Sequence, residues 1–107
     1  MEEIKSIVEL DEVLSKNENL HIVKFYGQWC APCKMLQNTI EKIAPTLEGV
    51  DFYGVDVDEA DETLIDKYMI RSVPILLYFK GSLQVDRTMG ALPEKMLLEK
   101  IEENNRK

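Results

Sequence analysis

Cys30 and Cys33 are the only cysteines in the chain, and two residues separate them. A disulfide between them would close so short a loop that it would remove little entropy from the unfolded chain, so a stapling role explains little. A zinc site needs about four ligands, and the single histidine, His21, brings this set to three. Redox chemistry is what two thiols at this spacing do without further help. Their placement strengthens that reading. An apolar, β-rich run, Leu20 to Tyr26, leads into Trp29-Cys30-Ala31-Pro32-Cys33-Lys34, and behind it Leu36, Ile40, Ile43 and Leu47 recur at helical spacing. The pair therefore lies where a buried strand hands over to a helix. The first turn of a helix offers unpaired N–H groups and the positive end of the macrodipole, both of which favour a thiolate over a thiol. Cys30, at that turn, is the expected nucleophile, accessible and partly ionised near neutral pH. Cys33, one turn further in, is the expected resolving thiol, more deeply buried, and Pro32 stiffens the link between them. In the implied exchange the Cys30 thiolate attacks a substrate disulfide, and Cys33 then attacks Cys30 and releases the reduced substrate.

The elements that must hold this pair follow from periodicity and turn residues. Ile4 to Glu9 alternates loosely and predicts a short first strand, after which Asp11 caps a brief helix through Leu14. Leu20 to Tyr26 predicts a buried central strand although it carries His21 and Lys24. Pro45 bends or ends the helix that follows. Phe52 to Val57 is the next strand, and Asp58 or Asp61 caps a helix carrying Leu64, Ile65 and Tyr68. Ile75 to Lys80 and Leu83 to Met89 form a hairpin across Gly81-Ser82, a pair suited to a type II′ turn. Pro93 opens a last helix whose inner face carries Leu97, Leu98 and Ile101. The order β-α-β-α-β-α-β-β-α predicts parallel pairing from the crossovers and antiparallel pairing from the hairpin, hence a mixed sheet in an α/β domain.

Length and charge bound the function from outside. The 107 residues, 45% apolar and 31% charged, suffice for one domain over 1–107 with its own core. Thirteen basic against 20 acidic residues give a net charge of −7. No cationic cluster is present to track a phosphate backbone, so nucleic-acid binding is not expected. The longest apolar run, Val73 to Phe79, is broken by Pro74 and is far too short to span a bilayer. The start, Met1-Glu2-Glu3, has neither the cationic nor the apolar region of a secretion signal. A small, soluble, monomeric, cytoplasmic protein is the expectation.

The chain resembles thioredoxins from about Ile4 to Asn104. The resemblance rests on Phe25-Tyr26-Gly27-Gln28-Trp29-Cys30-Ala31-Pro32-Cys33-Lys34, Val57-Asp58, Lys67-Tyr68-Met69-Ile70-Arg71-Ser72-Val73-Pro74 and Gly90-Ala91, in that order and spacing. It implies a five-stranded mixed sheet with four helices and a protein-disulfide reductase. It also implies recharging by an NADPH-dependent flavoprotein thioredoxin reductase, with no bound cofactor beyond the redox-active disulfide. By the same resemblance Trp29 flanks and covers the dithiol, Pro74 is a cis-proline facing it, and Val73 offers its backbone to an extended substrate segment. Gly90 and Ala91 would let that segment approach closely, although a turn needing positive φ would explain Gly90 equally well.

Three positions depart from the family pattern. Ala31 stands where glycine is commonest, and the residues between the cysteines tune the redox poise. Asn38 replaces a kink-forming proline, so the active-site helix is expected to be straighter. Lys24 stands where the family has a buried aspartate that accepts a proton from the resolving cysteine, and Gly54 stands where that aspartate's lysine partner would be. An ammonium among Ile22, Val23, Phe25 and Tyr26 is either snorkelling outward without effect or partly desolvated, with its pKa lowered so that a neutral amine could take a proton from Cys33. If charged and about 6 Å from Cys33, it would favour a thiolate by roughly 3 kcal/mol at an effective dielectric near 20, making the protein more oxidising. Two alternatives to a reductase therefore stand: a more oxidising exchange protein or isomerase, and a peptide-binding subunit of the same fold with little turnover. His21 reads as a polar edge residue, and Asp56, Asp58, Glu59, Asp61 and Glu62 as a solvated helix start without the spacing of a calcium loop. Met35 and Leu36 read as helix packing, with partner contact the other possibility.

Overall fold

The computed structural model describes residues 1–107. Five strands form one sheet in the order β1-β3-β2-β4-β5. Strand β1 is Glu2–Glu3, β2 Leu20–Tyr26, β3 Val50–Asp56, β4 Ile75–Lys80 and β5 Leu83–Met89. Strands β1, β3 and β2 run parallel, whereas β4 lies antiparallel to β2 and β5 antiparallel to β4. Helices α1 (Ile7–Leu14), α2 (Ala31–Ile43), α3 (Glu62–Lys67) and α4 (Glu94–Asn105) cover the two faces. The predicted fold class, element order and mixed sheet are all present.

Period-two alternation along β2 divides the core. Leu20 and Ile22 face α2 and α4, packing with Leu36, Ile40, Leu97 and Ile101. Val23 and Phe25 face the other way, packing with Leu10, Val13, Leu64 and Ile70. Lys24 follows Ile22 in the first set, so its side chain starts on the α2 face. That face also receives the first turn of α2, which carries the cysteines.

The start of the chain differs from its predicted form. The first strand is Glu2–Glu3 rather than Ile4 to Glu9, and α1 begins at Ile7, not near Asp11. Ser6 is the cap: its Oγ accepts from the Glu9 N–H at 3.1 Å. The Ser6-x-x-Glu9 spacing is a helix-start signal that overrides the loose alternation. Elsewhere the shifts are small. Pro45 sits in a 3₁₀ turn, Ala44–Thr46, that ends α2, and Leu47 packs from beyond it. Asp61 holds the cap position of α3 without a side-chain bond. Pro93 is the cap residue of α4 rather than its first residue. Gly81, at φ +59, supplies the positive φ that the hairpin turn needs. Without a proline at Asn38, α2 runs unbroken for 13 residues.

Candidate functional site

The cysteines sit at the junction of β2 and α2. Cys30 is the cap residue of α2, with φ −93° and ψ 106°, and Cys33 lies in the first turn. They are joined by a disulfide, with Cα atoms 5.2 Å apart. The Cys33 N–H donates to Cys30 Sγ at 3.1 Å. Pro32, between them, has no N–H to compete. A sulfur thus occupies the place a serine or aspartate oxygen takes in an ordinary helix cap, facing the positive end of the helix. A charge left on Cys30 after reduction would be stabilised there.

The expected contrast between an open Cys30 and a buried Cys33 is small in this disulfide form, where the residues are 4% and 2% exposed. Cys30 Sγ is bonded to Cys33 Sγ and accepts from the Cys33 amide. It still faces the loop that precedes β4: Cys30 Sγ lies 3.9 Å from the Val73 carbonyl oxygen. The Val73–Pro74 peptide bond is cis, as the resemblance implied. Pro74 is itself tied to the end of β5, its carbonyl accepting from the Gly90 N–H at 2.9 Å. Gly90 has φ +85°, and a Cβ built there meets nothing within 4 Å. The turn geometry alone therefore calls for glycine, and the space above it is open. Ala91 packs partly against the α2–α4 core.

Trp29 stands beside the dithiol, 68% exposed. Two contacts orient its ring. A Cβ at Gly27 would come within 2.6 Å of Trp29 Cε2, so a glycine there allows the indole to lie against the backbone. The indole N–H donates to Asp58 Oδ2 at 2.8 Å. Trp29, Ile70, Arg71, Ser72 and Val73 bound a shallow cleft of about 140 Å³ next to the cis-proline loop. Arg87, on β5, holds the turn before that loop by donating to the carbonyls of Tyr68 and Met69 at 2.6 and 2.9 Å; Met69 has φ +54°.

Beneath the cysteines, Lys24 is buried, 3% exposed. The side chain is covered rather than extended outward to solvent. Its Nζ donates to Gln37 Oε1 of α2 and lies 4.5 Å from the centre of the Tyr26 ring. Burial pulls its pKa below the ordinary lysine value, against the opposing pull of the Glu3 and Glu41 carboxylates. Lys24 and Cys33 line one pocket of about 360 Å³.

The site residues expected from the sequence are Cys30, Ala31, Pro32, Cys33, Trp29, Lys24, Val73, Pro74, Gly90 and Ala91. Of these, Trp29 through Cys33, Val73, Pro74 and Gly90 come together at one end of the sheet. Asp58, expected as a possible helix cap, instead accepts from Trp29, because Asp61 caps α3; Gln37 and Glu3, like Asp58, make contacts that link distant segments. Asp58 belongs both to the acidic run and to the Val57-Asp58 pair of the resemblance, and only the second of these points to the site. The acidic run also holds Asp56, which is buried and accepts from the Gln28 side chain at 3.1 Å. His21 is no edge residue: it is fully buried in β2, its Nε2 is 3.4 Å from the Asn17 carbonyl and its Nδ1 is 3.7 Å from Asp51 Oδ2.

Comparison with known proteins agrees with this geometry. The thioredoxin family model matches residues 4–103. Thioredoxin-2 of Saccharomyces cerevisiae is 38% identical over 91 residues, covering 85% of this chain and 86% of its own. A thioredoxin of Mycoplasmoides gallisepticum is 37% identical over 99 residues, 92% of this chain and 97% of its own. The crystal structure of Fasciola hepatica thioredoxin superposes with a TM-score of 0.89 at 30% identity, covering 97% of this chain and 99% of that one. With a two-cysteine site at the head of α2, the matching sheet and these relatives, the chain belongs to the thioredoxin family of protein-disulfide oxidoreductases.

Proposed function

We propose that this protein reduces disulfides in other proteins, with Cys30 as nucleophile and Cys33 as resolving thiol. The observation that carries this reading is the setting of Cys30 Sγ, which accepts a hydrogen bond from the Cys33 N–H on one side and faces the Val73 carbonyl on the other. A substrate strand laid along the Val73–Pro74 backbone, a one-strand β-augmentation, would bring its disulfide to the helix end where a thiolate is favoured. Trp29, with the cleft beside it, would support that strand, and the open space above Gly90 would admit it. The first attack forms a Cys30–substrate disulfide and expels one substrate thiolate. Cys33 then attacks Cys30, closes the 30–33 disulfide and releases the second. Two electrons and two protons leave the protein, and a reductase must restore them. In this family that is an NADPH-dependent flavoprotein, and such recycling suits a reducing compartment such as the cytoplasm.

Insulin reduction in the presence of dithiothreitol tests the reading. Wild type should accelerate insulin precipitation, whereas Cys30→Ser should stay at the background rate and Cys33→Ser should be caught as a mixed disulfide through Cys30. Wild type at the background rate would instead identify a peptide-binding subunit with little turnover. The buried Lys24 supports a second reading, a more oxidising exchange protein. Equilibration with glutathione decides between the two: a reductase stays oxidised in a mildly reducing buffer, and an oxidant is already reduced there.

A further inference from the structure

A row of three paired positions crosses the sheet below the dithiol. Lys24 of β2 is paired with Gly54 of β3, and Gly54 with Glu3 of β1. Paired residues on neighbouring strands point to the same face, so Glu3 and Lys24 flank the position where Gly54 has no side chain. Glu3 fills it: its Oε2 lies 2.5 Å from where a Cβ at Gly54 would stand. Its other oxygen accepts the Tyr26 hydroxyl at 2.7 Å, and the ring of Tyr26 lies against the Lys24 ammonium. Tyr26 thus holds the carboxylate on the side where Lys24 is buried. Glu3, Lys24, Tyr26, Cys33 and Gln37 all line the same pocket.

We propose that Lys24 and Cys33 exchange one proton through this pocket during the resolving step, and that Glu3, seated over Gly54, is a positioning residue that sets the basicity of Lys24. The proposal rests on the exchange chemistry given under Proposed function. When Cys30 is joined to substrate, Cys33 carries a thiol and Lys24 an amine. The proton passes from sulfur to Nζ, and the Cys33 thiolate attacks Cys30 Sγ. The 30–33 bond forms as the Cys30–substrate bond breaks, and the departing substrate thiolate takes up a proton while Lys24 returns one to solvent. No other redox partner is needed.

The titratable and hydrogen-bonding groups that share the pocket of Lys24 are the N-terminal Met1, Glu3 from β1, Tyr26 and Gln28 at the end of β2 and just beyond it, and Cys33, Lys34 and Gln37 from α2; Glu41 of α2 also acts on its charge. Its paired neighbours on β3 and β4, Gly54 and Leu76, carry no charge. Glu3 and Glu41 favour the ammonium, whereas burial favours the amine. Glu3 and Glu41 therefore oppose burial in setting how readily Lys24 takes up and gives back a proton.

The test follows the ultraviolet absorbance of the Cys33 thiolate against pH in a Cys30→Ser background, which requires no turnover. Lys24→Met should move the inflection upward by about one pH unit or more, so that the thiolate fraction near neutral pH falls about tenfold. Lys24→Arg, charged but unable to accept a proton, should not restore the wild-type release of a chromogenic thiol from a Cys30 mixed disulfide in the otherwise wild-type chain. Glu3→Gln should move the inflection when Lys24 is present and leave it in place when position 24 is Met. Circular dichroism confirms that each variant is folded. An unmoved inflection in folded Lys24→Met overturns the proposal, as does a Glu3→Gln effect of equal size with Met at position 24. A shifted inflection in a protein that fails to reduce insulin would retain the proton coupling and reject the reductase reading instead.

Discussion

At the scale of single residues, the molecule combines a stabilised sulfur with a destabilised amine. Cys30 sits where a helix cap normally places oxygen, and Lys24 sits where the alternation of β2 calls for an apolar side chain. Burying an ion generally weakens a fold unless its partners compensate fully, and replacement by an apolar residue of similar volume often stabilises by about 1–4 kcal/mol. Lys24→Met should therefore raise the stability to urea at pH values where Lys24 is charged in the folded protein. The sign with pH follows from the lowered pKa of Lys24. Between that value and the ordinary lysine value the unfolded chain binds more protons than the folded one, so wild-type stability rises with pH across this window. The gain from Lys24→Met should be full below the window and fade through it, as urea unfolding at a series of pH values would reveal. The cysteines, Trp29, Pro74 and Lys24 were legible because their types and spacing carry the signal locally. Asp58, Gln37 and Glu3 were not, because each acts on a residue from another segment, and only the folded sheet and α2 bring them together.

At the scale of elements, β2, β4 and β5 and the start of α2 were legible in apolar runs and turn residues. The beginning of the chain was not, because β1 has only two residues and draws its pairing from β3 rather than from any pattern of its own. The Ser6-x-x-Glu9 signal was present there and outweighed the alternation. The joint between β5 and α4 was also invisible in sequence. Asp86 accepts from the Asn104 side chain at 2.9 Å and pairs with Lys100 at 3.0 Å. Burial pushes its carboxyl pKa up, but the bonds from Asn104, Lys100 and the Arg87 amide outweigh this and hold it below the ordinary aspartate value. A depressed carboxylate contributes stability above its unfolded pKa and loses it as pH falls through the folded one. Asp86→Ala should thus cost about 1–3 kcal/mol near neutral pH. Thermal melts of variant and wild type should converge in acid, once the wild-type carboxylate is protonated.

At the scale of the whole molecule, the sheet separates two apolar clusters, and its C-terminal end on the α2 side gathers the cysteines, the cis-proline loop and Trp29. The order of strands and helices allowed this arrangement to be expected. What it could not give is the depth of the cysteines: Cys30 is nearly as covered as Cys33 in the disulfide form. The protein's activity then depends on whether the fold as a whole makes that sulfur ionise readily once the disulfide is opened. The rate of iodoacetamide modification at each cysteine of the reduced protein, mapped by mass spectrometry across pH, measures this directly. Cys30 should react first, with an inflection clearly below the ordinary thiol value near 8.5. An inflection at or above that value, or faster modification of Cys33, would contradict the account.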